Sequence, residues 1–412
     1  MSNIIESVNS NRNVPHSDLN YLVKTVAVIL CSPRSGSSLL KKSLESHPDV
    51  ATLGGEIEPF LVLTGNGFGF NSDCDAIDRI ENKEGLVNNI FDDLSVASDA
   101  LLGVDTILRK YRNRFLLQFP EIFSTDIMRE NLIRVLHAAL AEGKYSDVQE
   151  SSVFEKFVIT NIFEHEQWRI NYYDGFLNSG TVRWFNEPFK IEEPPFVLPH
   201  NGRRPFRESD AENKILLFKT PPDVYRIGMY EALFPNANIK YIHLTRGYAQ
   251  SVNGLMDGWL SPIGFFSHDL RRAGLDLNIQ GYSDRVPFGR WWWKFDLPPN
   301  WREFLERRLE DVCLNQWISA HRSILESRVA CLRVSFEDFL VSPNAVLGKI
   351  EEYLGLSARK MLKPLPHVMA TDVPKLQRWK KRNDLMLSLG EQQQVGVMME
   401  SLGYEMNTET WL

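Results

Sequence analysis

Arg34, Gly36, Ser37 and Ser38 fall within one segment, Val26 to Leu40, that reads VAVILCSPRSGSSLL. Its first half is short, apolar and β-branched, the pattern of a buried parallel strand. Its second half starts polar and then takes the leucine spacing of a helix. A helix opening straight from a strand offers unpaired N–H groups and partial positive charge at its first turn. An anion fits there, held by backbone donors from Ser35 to Leu39. Gly36 lets the backbone approach closely, Ser37 and Ser38 add hydroxyl donors, and Arg34 adds a full positive charge. The nucleoside-triphosphate loop, G-x-x-x-x-G-K-S/T, is a useful contrast. Aligning Gly36 with its second glycine puts Cys31 at the first and Ser37 at the lysine. No strand ends in an aspartate suited to magnesium. The segment reads as a phosphate cradle without the equipment for metal-assisted hydrolysis.

The run Pro33 to Leu40 resembles the 5′-phosphosulfate loop of sulfotransferases, P/S-R/K-S-G-S/T-S/T-x-L/F. The helix that ends in His47-Pro48-Asp49-Val50 is similar to the same family, tyrosylprotein sulfotransferases included. The resemblance implies the donor 3′-phosphoadenosine 5′-phosphosulfate (PAPS), the product 3′,5′-adenosine bisphosphate (PAP), and no metal. It also implies an arginine at a strand end for the 3′-phosphate. In Ile239 to Trp259, IKYIHLTRGYAQSVNGLMDGW, Arg246 stands at that place. The serine that the family carries on the following helix falls on Gly254 here, which leaves Ser251 or Asn253 as substitutes. Phe218-Lys219-Thr220-Pro221 resembles the family's K-T-P run, and Leu332 to Leu356 its V-x-Y-E-D-L … FLGL segment, with Glu337 and Asp338 structural. The basic run KLQRWKKR, with Arg378, Lys380 and Lys381, falls where family members close a loop over the adenosine and 3′-phosphate. The resemblance covers residues 23–60 and 214–385.

Sulfuryl transfer of this kind is in-line, and charge builds on the bridging oxygen of the leaving nucleotide. Positioning and electrostatic stabilisation do most of the work. Arg34 and the loop N–H groups would stabilise that oxygen, and Lys219 would assist. The acceptor hydroxyl or amine must also lose a proton, so a general base is required. Glu56, in Gly54-Gly55-Glu56-Ile57-Glu58-Pro59-Phe60, is the first candidate and Glu58 the second. The segment resembles one that carries a catalytic glutamate in tyrosylprotein and several bacterial sulfotransferases. His243, His268 and His367 are weaker alternatives, and His243 reads as a core residue within an apolar strand. The aromatic segment Trp291-Trp292-Trp293 either packs on the core or walls the acceptor site.

These residues need a scaffold. Strands predicted at 23–30, 214–219, 239–244 and 331–336 alternate with helices at 37–46, 223–234, 248–256 and 344–354. That alternation implies an α/β fold: a parallel central sheet with right-handed crossovers, a P-loop-like cradle and helices on both faces. Residues 1–22 read as a loosely ordered tail. Residues 23–60 and 214–412 read as the α/β core. Residues 61–213 read as a largely helical or irregular insertion contributing to the acceptor site, with helices at 105–117 and 125–141.

Bulk properties narrow the function further. The chain has 412 residues, 43% of them apolar, enough for a substantial core. Its net charge of −7 argues against a nucleic-acid partner and requires any anion site to be locally basic. Cys31, Cys74, Cys313 and Cys331 lack CxxC or CxxH spacing, which speaks against structural zinc and for reduced thiols. Met1 to Asn20 carries no apolar run of a signal peptide, and no run of about 18 apolar residues occurs. The expectation is a cytoplasmic enzyme with a small-molecule acceptor and no membrane partner. A P-loop kinase-like enzyme and a non-catalytic nucleotide-binding module are the alternatives. The acceptor and the oligomeric state are not readable from the sequence.

Overall fold

The computed structural model describes residues 2–142, 151–175, 183–199, 202–359, 365, 368–369 and 377–411. The protein is an α/β structure built on one mostly parallel sheet. Its strands are β1 (Thr25–Cys31), β2 (Val50–Thr52), β3 (Ser95–Ala97), β4 (Arg203–Pro205), β5 (Ile215–Phe218) and β6 (Asn238–Thr245). A separate antiparallel hairpin holds β7 (Phe266–Asp269) and β8 (Trp292–Lys294), and β9 (Cys331–Ser335) returns to the main sheet. The order across that sheet is β4-β3-β2-β5-β1-β6-β9. All neighbours from β2 to β9 run parallel; β3 and β4 pair antiparallel at one edge.

The central strands are apolar without alternation because both faces are covered. Six of the seven β1 residues are buried. Val26, Val28 and Leu30 face one apolar cluster, and Ala27, Ile29 and Cys31 face the other. Helix α2 (Ser37–Leu44) follows β1 directly. Register then fixes the site. Cys31 pairs with Leu244, so the chain just beyond each strand, around Arg34 and Arg246, lies side by side. Thr52 pairs with Leu217, which brings the loops carrying Glu56 and Lys219 together. Ligands of open parallel sheets bind at this carboxyl edge.

Three expectations change. The N-terminal residues form a helix, α1 (Ser2–Arg12), rather than a loose tail. Val8 is fully buried, and the buried Arg12 is captured by Asn89 and by Asp92 at 3.6 Å. Burial, opposed by Asp92, lowers the Arg12 guanidinium to about 10. Second, the 61–213 stretch is not outside the sheet, because it supplies β3 and β4. Its helices at 104–118 and 126–141 match expectation. Third, the helix expected over 223–234 breaks into a 3-10 turn, Pro221–Tyr225, and a short helix, Met229–Leu233. The break lets Arg226 turn inward, where its side chain is fully buried against Asp223 at 3.0 Å and Glu58 at 2.7 Å. No helix among the described residues is long and apolar enough to cross a membrane.

Candidate functional site

The loop after β1 turns into α2 through two left-handed residues, Arg34 with φ 62° and Gly36 with φ 90°. The reason for glycine at 36 is specific. A Cβ there would stand 2.1 Å from the ring of Phe336, at the start of the helix after β9. The Phe336 ring also carries the Arg246 guanidinium, 4.8 Å from its centroid. Arg246 Nη1 donates to Arg34 O at 2.8 Å. Gly36→Ala should therefore cost about 1–3 kcal/mol from overpacking and about 1–2 kcal/mol from its left-handed backbone. A denaturation midpoint well below wild type is the expected measurement; an unchanged midpoint would mean that the ring moves freely.

The start of α2 faces a cavity with first-turn N–H groups that lack backbone acceptors among the described residues. Its first backbone bonds run from Leu39 and Leu40 N–H to Gly36 O. The Ser37 and Ser38 N–H groups therefore have no backbone acceptor among the described residues. Pro33, Arg34, Gly36, Ser37, Ser38 and Leu39 line a cavity of about 740 Å³. Ser35 is buried behind the loop and off that wall.

Three arginines converge at this end of the cavity: Arg34, Arg246 and Arg378. Arg34 lies over the Phe265 ring at 4.8 Å and donates to Met369 O at 3.0 Å. Burial, then the charges of Arg246 and Arg378, lower its guanidinium to about 10. Burial also lowers Arg246, against the pull of Glu337 and Tyr404. Glu337 is structural, accepting from Gly247 N–H at 3.0 Å and from Tyr404 O–H at 2.8 Å. Crowding like charges in a low-dielectric cleft is costly, and Asp257, Asp174 and Glu337 offset part of that cost.

The basic run does not sit in solvent as a plain charge run. Arg378, Lys381 and Arg382 all dock on Asp257 of the helix Tyr248–Trp259, at 2.9, 2.6 and 2.8 Å. Among the described residues of this run, Arg378 alone lines the cavity; Lys380 and Lys381 lie outside the wall, and Lys375 and Leu376 lie outside the described residues. Ser251 is fully buried, its hydroxyl without a partner among the described residues, and off the cavity wall too. Asn253 accepts from Arg382. A Cβ on Gly254 would stand 3.4 Å from Arg34 Cβ, so the stem of Arg34 fills the side of the helix where the family's serine is sought.

Beside the cradle lies Lys219, just beyond β5. It is buried and pairs with Glu56, and its Nζ lies 3.4 Å from Ser38 Oγ. Burial, the largest influence, would lower the Lys219 ammonium; Glu56, Cys31 and Asp223 together outweigh it and hold the group above its ordinary value. Ile57 N–H donates to Thr220 Oγ1 at 3.2 Å, tying the two loops together. The Glu56 side chain remains about a third exposed, at 34%. Glu58 starts helix α3 (Glu58–Leu63) and lines the same cavity, but its carboxylate is held by Arg226.

Residues not anticipated from the sequence hold the Glu56 loop. Lys41 Nζ donates to Leu53 O at 2.9 Å and Gly55 O at 2.8 Å. Asp93 accepts from Gly54 N–H at 2.8 Å, and Arg114 joins Asp93 to Glu192. A signal existed for Lys41: the spacing of Ser37, Leu40, Lys41 and Leu44 places it on the buried face of α2.

The histidines separate clearly. His243 lies in β6 with its Nε2 3.0 Å from His321 Nδ1, and burial pushes it down to about 3. It is a core residue. His268 lines the cavity 3.3 Å from Asp75. His367 lies outside the described residues. The tryptophans divide as well. Trp293 is fully buried against Trp259 and Trp301, while Trp292 forms part of the cavity wall.

No family model and no curated protein matches the chain. Solved structures give low-scoring overlaps. A sulfotransferase domain from the curacin biosynthetic pathway is 14% identical with a TM-score of 0.37, covering 93% of this chain and 99% of that one. A sulfotransferase domain from the Synechococcus PCC 7002 olefin synthase is 15% identical with a TM-score of 0.37, covering 93% and 96%. The sulfotransferase STF1 from Mycobacterium tuberculosis H37Rv is 10% identical with a TM-score of 0.29, covering 97% and 81%. Scores this low carry no weight for the roles of individual residues.

Proposed function

We propose that this protein is a sulfotransferase that moves a sulfuryl group from PAPS to a hydroxyl (or amine) of a small acceptor. One observation carries the reading: a single cavity holds a helix-start cradle ringed by Arg34, Arg246 and Arg378, and beside it the Lys219–Glu56 pair. The first group suits a nucleotide with phosphates at both ends. The second suits transfer of a group from that nucleotide to a protic acceptor. The residues suit PAPS on their own chemistry, because first-turn N–H groups without a backbone acceptor among the described residues lie beside three guanidiniums, a setting that favours an anion.

Bound PAPS would supply an activated sulfuryl group whose bridging S–O bond breaks as the acceptor O–S bond forms. Arg34 and the Ser37 and Ser38 N–H groups take up the charge on the leaving phosphate oxygen. Lys219 reaches both Ser38 and Glu56, so an anion on the cradle draws its charge forward. Glu56 is then left to accept the acceptor's proton. PAP leaves with the negative charge. Ser37 at the lysine position of a triphosphate loop disfavours the kinase reading.

Arg246→Ala should weaken PAP binding by roughly 10- to 150-fold while hardly changing affinity for 5′-AMP, since a charged hydrogen bond contributes about 1.5–3 kcal/mol. Equal losses for both nucleotides in calorimetry would move the 3′-phosphate site elsewhere. The reading as a whole is tested by incubation with radiolabelled PAPS and a panel of hydroxyl and amine acceptors. Label transfer to an acceptor supports it. Transfer of a phosphoryl group from ATP instead would sink it.

A further inference from the structure

Eight described residues other than glycine have a left-handed backbone, and four of them touch in one line along the cavity wall. Phe295, with φ 62°, stacks on Phe265, with φ 63°; the ring centroids are 4.6 Å apart. The Phe265 ring carries the Arg34 guanidinium, and Arg34 donates in turn to the carbonyl of Met369, with φ 50°. A left-handed backbone is costly for any residue with a Cβ and is rarest for bulky ones. No other described aromatic residue has one, although pairs such as Phe115–Phe123 and Phe185–Phe266 stack elsewhere in the chain. Burying a ring therefore does not call for it.

Strain of this kind lasts only where the surroundings over-determine the backbone, and it gathers at functional sites. Here both phenylalanines are clamped on either side. Gly264 O, just before Phe265, accepts from Lys294 Nζ at 2.6 Å, and Phe265 N–H donates to Pro194 O at 2.6 Å. Gln316, in the helix Leu309–Ser327, straddles Phe295: its Nε2 donates to Lys294 O at 2.9 Å and to Asp296 O at 2.8 Å. Gln316 is itself oriented by Trp259 Nε1, which donates to its Oε1 at 2.9 Å. Lys294 and Gln316 are both fully buried. Gly258 completes the seat, since a Cβ there would stand 2.2 Å from the Phe295 ring and 3.3 Å from that of Phe265.

What this clamped pair carries is Arg34. An arginine side chain is rich in rotamers, and a donor serves a transition state best when it is already aimed. We propose that Phe265 and Phe295 are positioning residues: their stack holds the Arg34 guanidinium in one orientation against the cradle, with Met369 O fixing its edge, so that an anion meets it already ordered. This inference rests on the sulfuryl-transfer reading for the reaction, and on the geometry alone for the ordering of Arg34.

The test is a double-mutant cycle on the full chain, read in two ways: kcat/KM for transfer from PAPS, and calorimetric affinity for inorganic pyrophosphate. Leucine at 265 meets the same left-handed backbone and keeps apolar bulk, but it has no flat face. Phe265→Leu should lower both quantities roughly ten-fold, the scale of a desolvated cation–π contact. In an Arg34→Ala background the same substitution should change neither, because the stack then has nothing to orient. A merely structural role would cost the same in both backgrounds. Phe265→Tyr, which keeps the ring face, should restore wild-type values. Phe295→Leu should repeat the Phe265→Leu pattern more weakly, and it runs the same cycle if Phe265→Leu does not fold. Equal losses with and without Arg34, no loss at all, or pyrophosphate binding that Arg34→Ala leaves unchanged would overturn the proposal. Coupling seen with pyrophosphate but no transfer from PAPS would strike the sulfuryl-transfer reading and leave the stack's role standing.

Discussion

Glu56→Gln should leave PAP affinity unchanged and lower turnover by about 100-fold or more, the usual scale for a positioned general base. Glutamine keeps the shape and still accepts a hydrogen bond from Lys219, so the cradle keeps its geometry, although the buried Lys219 loses its counter-charge. What it loses is basicity. The acidic limb of the pH–rate profile should vanish with it. The loop that carries Glu56 is firmly held, since Lys41 fixes the carbonyls on either side of Gly54 and Asp93 fixes the Gly54 N–H. Glu58→Gln should behave differently. Its carboxylate offsets the buried Arg226, so the loss should register as about 1.5–3 kcal/mol of stability rather than as a missing pH limb. If Glu58→Gln loses the limb and Glu56→Gln keeps near-normal turnover, Glu58 is the base. If both retain it, neither glutamate is the base.

Arg34→Ala should lower turnover by about 100-fold or more, the cost of removing one transition-state donor, with a much smaller effect on stability. Alanine meets the same left-handed backbone as arginine, so that cost does not change. The Met369 bond and the Phe265 stack are lost, but both lie at the cavity rather than in the core. Steady-state kinetics beside a thermal unfolding curve separate the two effects. An unfolded variant would make Arg34 structural, and a fully active one would remove it from the chemistry.

The cradle was legible because it is local. One apolar strand, one turn and one helix start lie within a single short run, and their physics needs no partner. Parallel pairing then brought the other strand-end residues to the same edge: Arg246 by the Cys31–Leu244 register, Lys219 and Glu56 by Thr52–Leu217. What escaped depends on contacts distant in sequence. Arg12 makes α1 a docked helix by finding Asp92 and Asn89, which no local pattern announces. The strands β3 and β4 are only three residues each, too short for an alternating pattern to stand out. The helix expected over 223–234 breaks between Tyr225 and Met229, and the break goes with the burial of Arg226 between Glu58 and Asp223, a contact distant in sequence. Asp75 and His268 lie far apart in sequence, and only the folded chain joins them. Ser251 shows the opposite error: a residue of the right type one helical turn away, buried out of reach of the cavity.

The central claim, a site built for a 3′-phosphorylated adenosine nucleotide, is tested most directly by calorimetry on the wild-type chain with PAP, 5′-AMP and ATP with magnesium. Three guanidiniums and a helix start around one cleft predict that PAP binds at least ten-fold more tightly than 5′-AMP, on the scale of one charged hydrogen bond, and that ATP with magnesium gains nothing over 5′-AMP. ATP with magnesium binding more tightly than PAP would contradict the account and return the cradle to the triphosphate-binding enzymes.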